Sequence, residues 1–248
     1  MTQQVEVCYR NILETGTVAV TSENASFPAY RLYDRDIGKL FKGNSTPANF
    51  YITIDQGAVT SYEIDRLLIP AGHNLTGLAI KVQYSTDNFS GDTNDAASWT
   101  QSGSGLIDKS FTAQTKRYWR LNIAAPGSAP ELAEMFLTKQ YTFQRNPNYG
   151  LREKPYQKNI VRNETKSGRV RKIKNGEPRR SRAYALTRIT AAQRADLESW
   201  ESVLDSIKNF YIEDVNGTLF FAELIDDLEF SMEHEGRFGV SMNILEVL

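Results

Sequence analysis

Apolar and polar residues alternate with a period of two through much of the first 140 positions. In Phe50–Asp55 the residues Phe50, Ile52 and Ile54 alternate with Tyr51, Thr53 and Asp55, the pattern of a strand with one face buried. Leu78–Ser85 repeats it through Leu78, Ile80, Val82 and Tyr84, and Arg117–Ile123 sets Trp119, Leu121 and Ile123 against Tyr118. Thr17–Ser22 and Leu132–Thr138 read as further strands. Ile64–Pro70 is more continuously apolar and ends at Pro70, where a strand stops without losing a ladder donor. Short strands separated by turn signals, with almost no helix, predict an antiparallel sandwich.

The period changes near residue 190. Thr190 is a good N-cap with Gln193 three residues on, a capping-box arrangement. Leu197, Trp200, Val203, Leu204 and Ile207 follow at helical spacing, with Asp196, Glu198, Glu201 and Asp205 on the wet faces. Asn209 marks the stop, so a helix is expected over 190–208. Asn209–Val215 and Thr218–Ile225 flank Asn216-Gly217, a strong hairpin signal. Leu228–Met232 and Gly239–Val247 complete a small sheet. The Pro/Gly/Asn-rich run Gln144–Gly150 reads as a boundary, which places one domain at 1–142 and a second at 143–248. The expected class is mainly β, the second half adding an antiparallel module with one α-helix and a long basic hairpin arm.

Composition narrows the functional classes. The 248 residues are 40% apolar and 11% aromatic, enough for a real core. No apolar run approaches the roughly 18 residues a membrane helix needs. Cys8 is alone, so neither an intrachain disulfide nor a thiolate metal site is expected. The start, MTQQVEVCYR, lacks a basic segment followed by an apolar one, and synthesis in a reducing cytoplasm is expected. The six Asn-x-Ser/Thr sequons then read as chance products of an Asn-, Ser- and Thr-rich chain.

Charge changes the picture more. A formal net charge of −1 conceals a split. Residues 152–182 hold twelve Lys or Arg against three Glu, or +9, and residues 195–248 hold thirteen acidic against two basic residues, or −11. Ser167-Gly168 and Asn175-Gly176 are turn signals among Ile160-Val161, Val170 and Ile173, which predicts projecting hairpins. Three readings stand: a solvated arm between domains, a phosphate-binding patch, and an arm that meets the acidic surface of a neighbouring copy. Stacking aromatics are not interleaved with the basic residues, which counts against nucleic acid. The third reading assigns the interface to Arg169, Arg171, Lys172, Lys174, Arg179 and Arg180 against Glu223, Asp226 and Asp227.

Catalytic constellations are missing from the sequence. His73 and His234 are the only histidines and fall in different halves. Neither H-E-x-x-H, G-x-S-x-G nor a phosphate-binding glycine loop occurs. His73 reads as a hydrogen-bonded turn residue. Glu223, Asp226, Asp227 and Glu229 match no calcium loop, and Asp34, Asp36 and Asp55 would support glycoside hydrolysis only if two carboxyls converged. No enzyme activity, metal or cofactor is expected.

Two resemblances add to this. Ala29-Tyr30-Arg31-Leu32-Tyr33-Asp34, Leu40-Phe41-Lys42-Gly43, Ile52-Thr53-Ile54-Asp55-Gln56-Gly57, Gly72-His73-Asn74-Leu75-Thr76-Gly77, Tyr84-Ser85-Thr86-Asp87 and Arg117-Tyr118-Trp119-Arg120-Leu121 occur in that order. Together they resemble the discoidin, or coagulation-factor type C, group of galactose-binding-like domains over residues 15–140. The resemblance implies an eight-stranded jelly roll whose end loops bind sugars, lipid head groups or proteins. The matching positions are Arg35, Lys39, Phe41 and Lys42 with Asp87, Asn88 and Phe89. Residues 150–248, through Leu186-Thr187, the helix, Asn209-Phe210-Tyr211-Ile212-Glu213-Asp214 and Leu245-Glu246-Val247, resemble tail-tube and distal-tail modules of long-tailed bacteriophages. That implies a hexameric ring in the virion's tail tip or baseplate, with other tail proteins as partners and the jelly roll facing outward. The alternative is a carbohydrate-binding module for host surface glycans.

Overall fold

A computed structural model of the protein describes residues 4–58, 61–147, 152–157 (backbone), 160–164, 166, 169–174, 177–205 and 207–247. The predicted turns at Ser167-Gly168 and Asn175-Gly176 lie outside these residues. The chain forms two units, one of Arg10–Gln140 and one of Met1–Tyr9 with Tyr141–Leu248.

In the first unit a short helix α1 (Ile12–Thr15) leads into β2 (Thr17–Val20), numbered after a β1 that belongs to the other unit. A 3-10 turn at Ala29–Leu32 precedes β3 (Phe41–Lys42), β4 (Asn49–Asp55), β5 (Glu63–Ile69), β6 (Ala79–Ser85) and β7 (Asn94–Thr100). Then come β8 (Ile107–Thr115), β9 (Tyr118–Ala124), β10 (Glu131–Leu132) and β11 (Phe136–Thr138). Five strands pair in the order β2-β4-β9-β6-β7, three in the order β11-β5-β8, and β10 pairs with β3. Every pairing is antiparallel. The two larger sheets share one core, so the unit is a β sandwich with the jelly-roll division of five strands against three.

Register carries the alternation across the five-stranded sheet. Phe50, Ile52 and Ile54 lie opposite Ile123, Leu121 and Trp119, and all six are buried. Their neighbours Tyr51, Thr53, Arg120 and Asn122 therefore fall on the other face, because successive side chains of a strand point to opposite sides. Asn11 fixes the opening helix to the last strand: it accepts from the N–H of Leu13 (3.3 Å) and Leu137 (3.3 Å) and donates to the Met135 carbonyl (2.8 Å).

The second unit begins with β1 (Glu6–Cys8), positions that the boundary read at Gln144–Gly150 leaves in the N-terminal domain. β1 pairs with β12 (Tyr141–Thr142) on one side and β17 (Phe210–Glu213) on the other. The remaining strands are β13 (Arg152–Gln157), β14 (Ile160–Glu164), β15 (Val170–Lys174), β16 (Arg179–Thr190), β18 (Leu219–Leu224), β19 (Glu229–His234) and β20 (Arg237–Glu246). The large sheet runs β12-β1-β17-β18-β20-β16-β13, with β19 also on β20. The expected basic arm divides accordingly. β13 and β16 belong to the large sheet, while β14 and β15 form a separate two-stranded hairpin.

Helix α2 (Ala191–Leu204) starts as the sequence predicts, with both halves of the Thr190/Gln193 capping box formed. It ends a turn earlier than 208, because Asp205 turns left-handed (φ 49°) and its N–H caps the Glu201 carbonyl. Ile207 is consequently exposed instead of lying in the apolar stripe. Leu197, Trp200 and Leu204 do face the core. The β17–β18 hairpin closes as read, over Gly217 in a left-handed conformation (φ 73°).

Candidate ligand site

The loop after β6 is built on a serine and an aspartate. Ser85 is fully buried; its Oγ donates to Asp87 Oδ1 (2.8 Å) and accepts the N–H of Asp87 and of Phe89 (both 3.0 Å). The Asp87 carboxylate in turn accepts from the N–H of Ser90 (3.2 Å), Gly91 (2.8 Å) and Asp92 (3.1 Å). The Ser85 hydroxyl holds that carboxyl below the usual aspartate value. This web keeps two consecutive non-glycine residues, Asn88 (φ 57°) and Phe89 (φ 63°), left-handed. The conformation costs L-residues about 1–2 kcal/mol each and persists where surrounding bonds over-determine it.

Phe89 is thereby set against Arg120 of β9. The Arg120 guanidinium carbon lies 4.0 Å from the Phe89 ring centroid and 4.5 Å from that of Tyr51 on β4. Its Nε donates to Gln83 Oε1 (2.8 Å), Gln83 Nε2 donates to Asp95 Oδ1 (2.6 Å), and Lys81 pairs with Asp95 Oδ2 (2.7 Å). Partial burial pulls Arg120 below arginine's ordinary value. Both Nη groups carry no hydrogen bond among the described residues. The result is a planar cation with two rings and one amide fixing its plane, and a pair of parallel donors left over. That is the fork which binds a carboxylate or two adjacent hydroxyls at two points.

The residues expected to bind ligand separate. Asn88 and Phe89 are on this loop. Arg35 is buried, bonded to Glu14 and stacked on Phe136 (4.5 Å), with its backbone N–H on Glu134 Oε2 (3.0 Å). Phe41 is fully buried against Phe50 and offers no surface to a ligand. Lys42 is paired with Glu131 (2.9 Å) beside the Phe27 ring, and Lys39 with Asp36 (2.9 Å). His73 accepts the Leu75 N–H on Nδ1 (3.3 Å), which leaves Nε2–H to donate to the Gly105 carbonyl (2.9 Å), and burial lowers its basicity. Asp55 is held by Arg117 (2.7 and 2.9 Å). Among the described residues no group of three or more His, Cys, Asp or Glu is placed to hold a metal.

Burial around Arg35 has a testable cost. Glu134 has 0% exposure, and burial, opposed by the nearby Arg35, pushes its carboxyl up to about 9. The folded protein then holds one proton more than the unfolded chain between about pH 4.5 and 9, so stability falls as pH rises through that window. Glu134→Gln keeps an acceptor for the Arg35 N–H and has no proton to lose. Its stability relative to the parent should climb by about 1 kcal/mol per pH unit from pH 5 to 8 in urea titrations; a pH-independent difference contradicts this.

The expected interface residues also divide. Arg171, Lys172 and Lys174 are exposed on β15, and Arg169 directly precedes it. Arg179 reaches Glu223 (3.8 Å) and Arg180 reaches Glu246 (3.8 Å) within the same sheet. Asp226 accepts from Asn243 (3.0 Å), and Asp227 is exposed beside it.

Neither the family models nor the curated proteins include a match to this chain. Among solved structures it is similar to chitosan-binding module 1 of a chitosanase/glucanase from Paenibacillus sp. IK-5, at 20% identity over 52% of this chain and 99% of that one (TM-score 0.46). Chitosan-binding module 2 of the same enzyme, in complex with chitotriose, is 18% identical over 52% and 100% (TM-score 0.44). A fucosidase of Ruminococcus gnavus in complex with fucose is 17% identical over 53% of this chain and 27% of its own (TM-score 0.45). No tail or baseplate protein is among these three.

Proposed function

We propose that the chain is a carbohydrate-binding protein whose ligand sits on the Arg120 fork. The observation that supports this reading is the guanidinium clamped between Tyr51 and Phe89 with both Nη groups unused among the described residues. Lys81 is paired with Asp95, and among the described residues no carboxylate is hydrogen-bonded to the Arg120 guanidinium. An acidic sugar suits it, because a uronate carboxylate takes the fork at two points.

Titration calorimetry of the full chain with oligogalacturonate and with uncharged oligosaccharides tests this. The acidic series should bind, and Arg120→Ala should weaken it about 100-fold, the worth of two charge-assisted hydrogen bonds. Arg120→Lys should fail nearly as badly, because an ammonium neither forks nor stacks as a plane. Absence of heat with every glycan would falsify the reading.

A second reading is favoured by a different observation, the fully exposed basic hairpin carried by a unit rich in acidic residues. On that reading the chain is a structural part of a phage tail tip or baseplate, made in the host cytoplasm. Its second unit joins a hexameric ring and the jelly roll is displayed outward. The two readings are compatible in one molecule.

A further inference from the structure

We infer that the β14–β15 hairpin of one copy docks along the free edge of β19 in a second copy, continuing its sheet. This rests on the assembly reading and is independent of the sugar site.

The hairpin lacks a reason to be stable alone. All ten of its strand residues are exposed, including Ile160, Val161, Val170 and Ile173, and among the described residues its strands pair only with each other. A two-stranded ribbon in water is marginal, and such a ribbon gains stability from a third strand or an apolar cover. The four apolar side chains occupy both faces, since Val161 lies opposite Ile173 while Ile160 and Val170 fall on the other side. Face-on packing would leave half of them wet. Edge-on addition instead uses the backbone donors and acceptors of the ribbon.

Among the described residues the large sheet offers three edges. β12 is two residues long. β13 contains Pro155, which has no N–H to give, and its register breaks between Lys154 and Gln157. β19 has six residues, pairs among the described residues with β20 alone, and shows a register break only near its end, between Met232 and His234. It lacks the lysines and prolines that blunt edge strands, and Met232 stands 73% exposed on it. At about 3.4 Å per residue its roughly 20 Å match the roughly 17 Å of each hairpin strand.

Charge selects the occupant. The hairpin strands carry Arg162, Arg171, Lys172 and Lys174 against Glu164, or +3. Residues 226–235 carry Asp226, Asp227, Glu229, Glu233 and Glu235 with no Lys or Arg, or −5. One chain thus bears both halves of a complementary pair, and a head-to-tail contact repeats it from copy to copy.

The test is light scattering of the full chain from about 1 to 100 µM, at about 50 and 500 mM salt, where screening lengths differ several-fold. The parent should self-associate at low salt and lose mass at high salt. Arg171→Glu with Lys172→Glu should weaken association at least tenfold, and so should Glu229→Lys with Met232→Lys. Mixing the two double variants should restore a complex, because the unaltered hairpin of the second meets the unaltered β19 edge of the first. A parent that stays monomeric at low salt, variants that associate like the parent, or a mixture that does not recombine overturns the inference. None of these results bears on the calorimetry with sugars, so failure here and failure of the carbohydrate reading are separable.

Discussion

Asp214→Ala should destabilise the second unit by about 3–5 kcal/mol, the cost of breaking a buried ion pair from one side. Asp214 and Arg182 are 1% and 4% exposed and lie 3.3 Å apart. The same carboxylate closes the β17–β18 turn, where Oδ1 accepts the N–H of Asn216 (2.9 Å) and Thr218 (3.0 Å). Alanine therefore takes one carboxylate partner from a buried guanidinium and leaves two turn donors short of an acceptor. Asp214→Asn separates the contributions: an amide oxygen still serves the turn but the charge is gone, so its loss should be smaller. Urea titrations read by hydrogen exchange at β17, β18 and β20 give both values. A loss below about 1 kcal/mol for alanine would mean that Arg182 is compensated elsewhere.

Adjacent residues of β9 should behave oppositely. Trp119 has 0% exposure, lies 5.6 Å from the Tyr84 ring and 5.9 Å from Phe111, and donates its Nε1–H to the Lys116 carbonyl (3.0 Å). Trp119→Ala removes the largest side chain of that core, which the sheets cannot collapse to fill, and should cost the first unit about 3–5 kcal/mol. Arg120→Ala, one residue on and facing outward, should cost about 1 kcal/mol, in keeping with a partly solvated cation–π contact. Thermal unfolding of the two variants checks this. Comparable losses would place Arg120 among the structural residues and remove the carbohydrate reading's central premise, a site separable from the fold.

The strands that bury one face were legible because alternation is a local signal. Phe50–Asp55 and Arg117–Ile123 fall within a residue of β4 and β9. β7 and β8 left a faint trace, since NDAASWT and IDKSFTAQT place few apolar residues on their inner faces. Leu132–Thr138 reads as one strand, yet Ala133–Met135 separates β10 from β11. The fork was hidden for another reason. Tyr51, Gln83, Phe89, Asp95 and Arg120 come from four strands and a loop, and only register brings them together. Outward-facing Tyr51 and Arg120 on strands already read were the available hint. Arg35 misleads by type: arginine in a polar loop suggests a ligand contact, and the Glu14 that neutralises it lies twenty-one positions earlier. Phe41 misleads by the shortness of its run, because the pair Leu40-Phe41 between Lys39 and Lys42 has no period from which its burial could be read.

β1 and β12 are neighbours in one antiparallel ladder, Val7 opposite Tyr141 and Glu6 opposite Thr142. In connectivity, then, the whole jelly roll is what joins two adjacent strands of a hairpin, in the position a turn of two to five residues normally takes. The second unit owns both termini of the described chain, and the first is a guest within it. A guest held at closely spaced points can be exchanged, lengthened or dropped over generations while the host sheet keeps its pairing. The jelly roll and the sheet into which it is inserted are thus free to diverge at different rates, and clipping residues 4–9 removes β1 from the second unit although the first unit follows them in sequence.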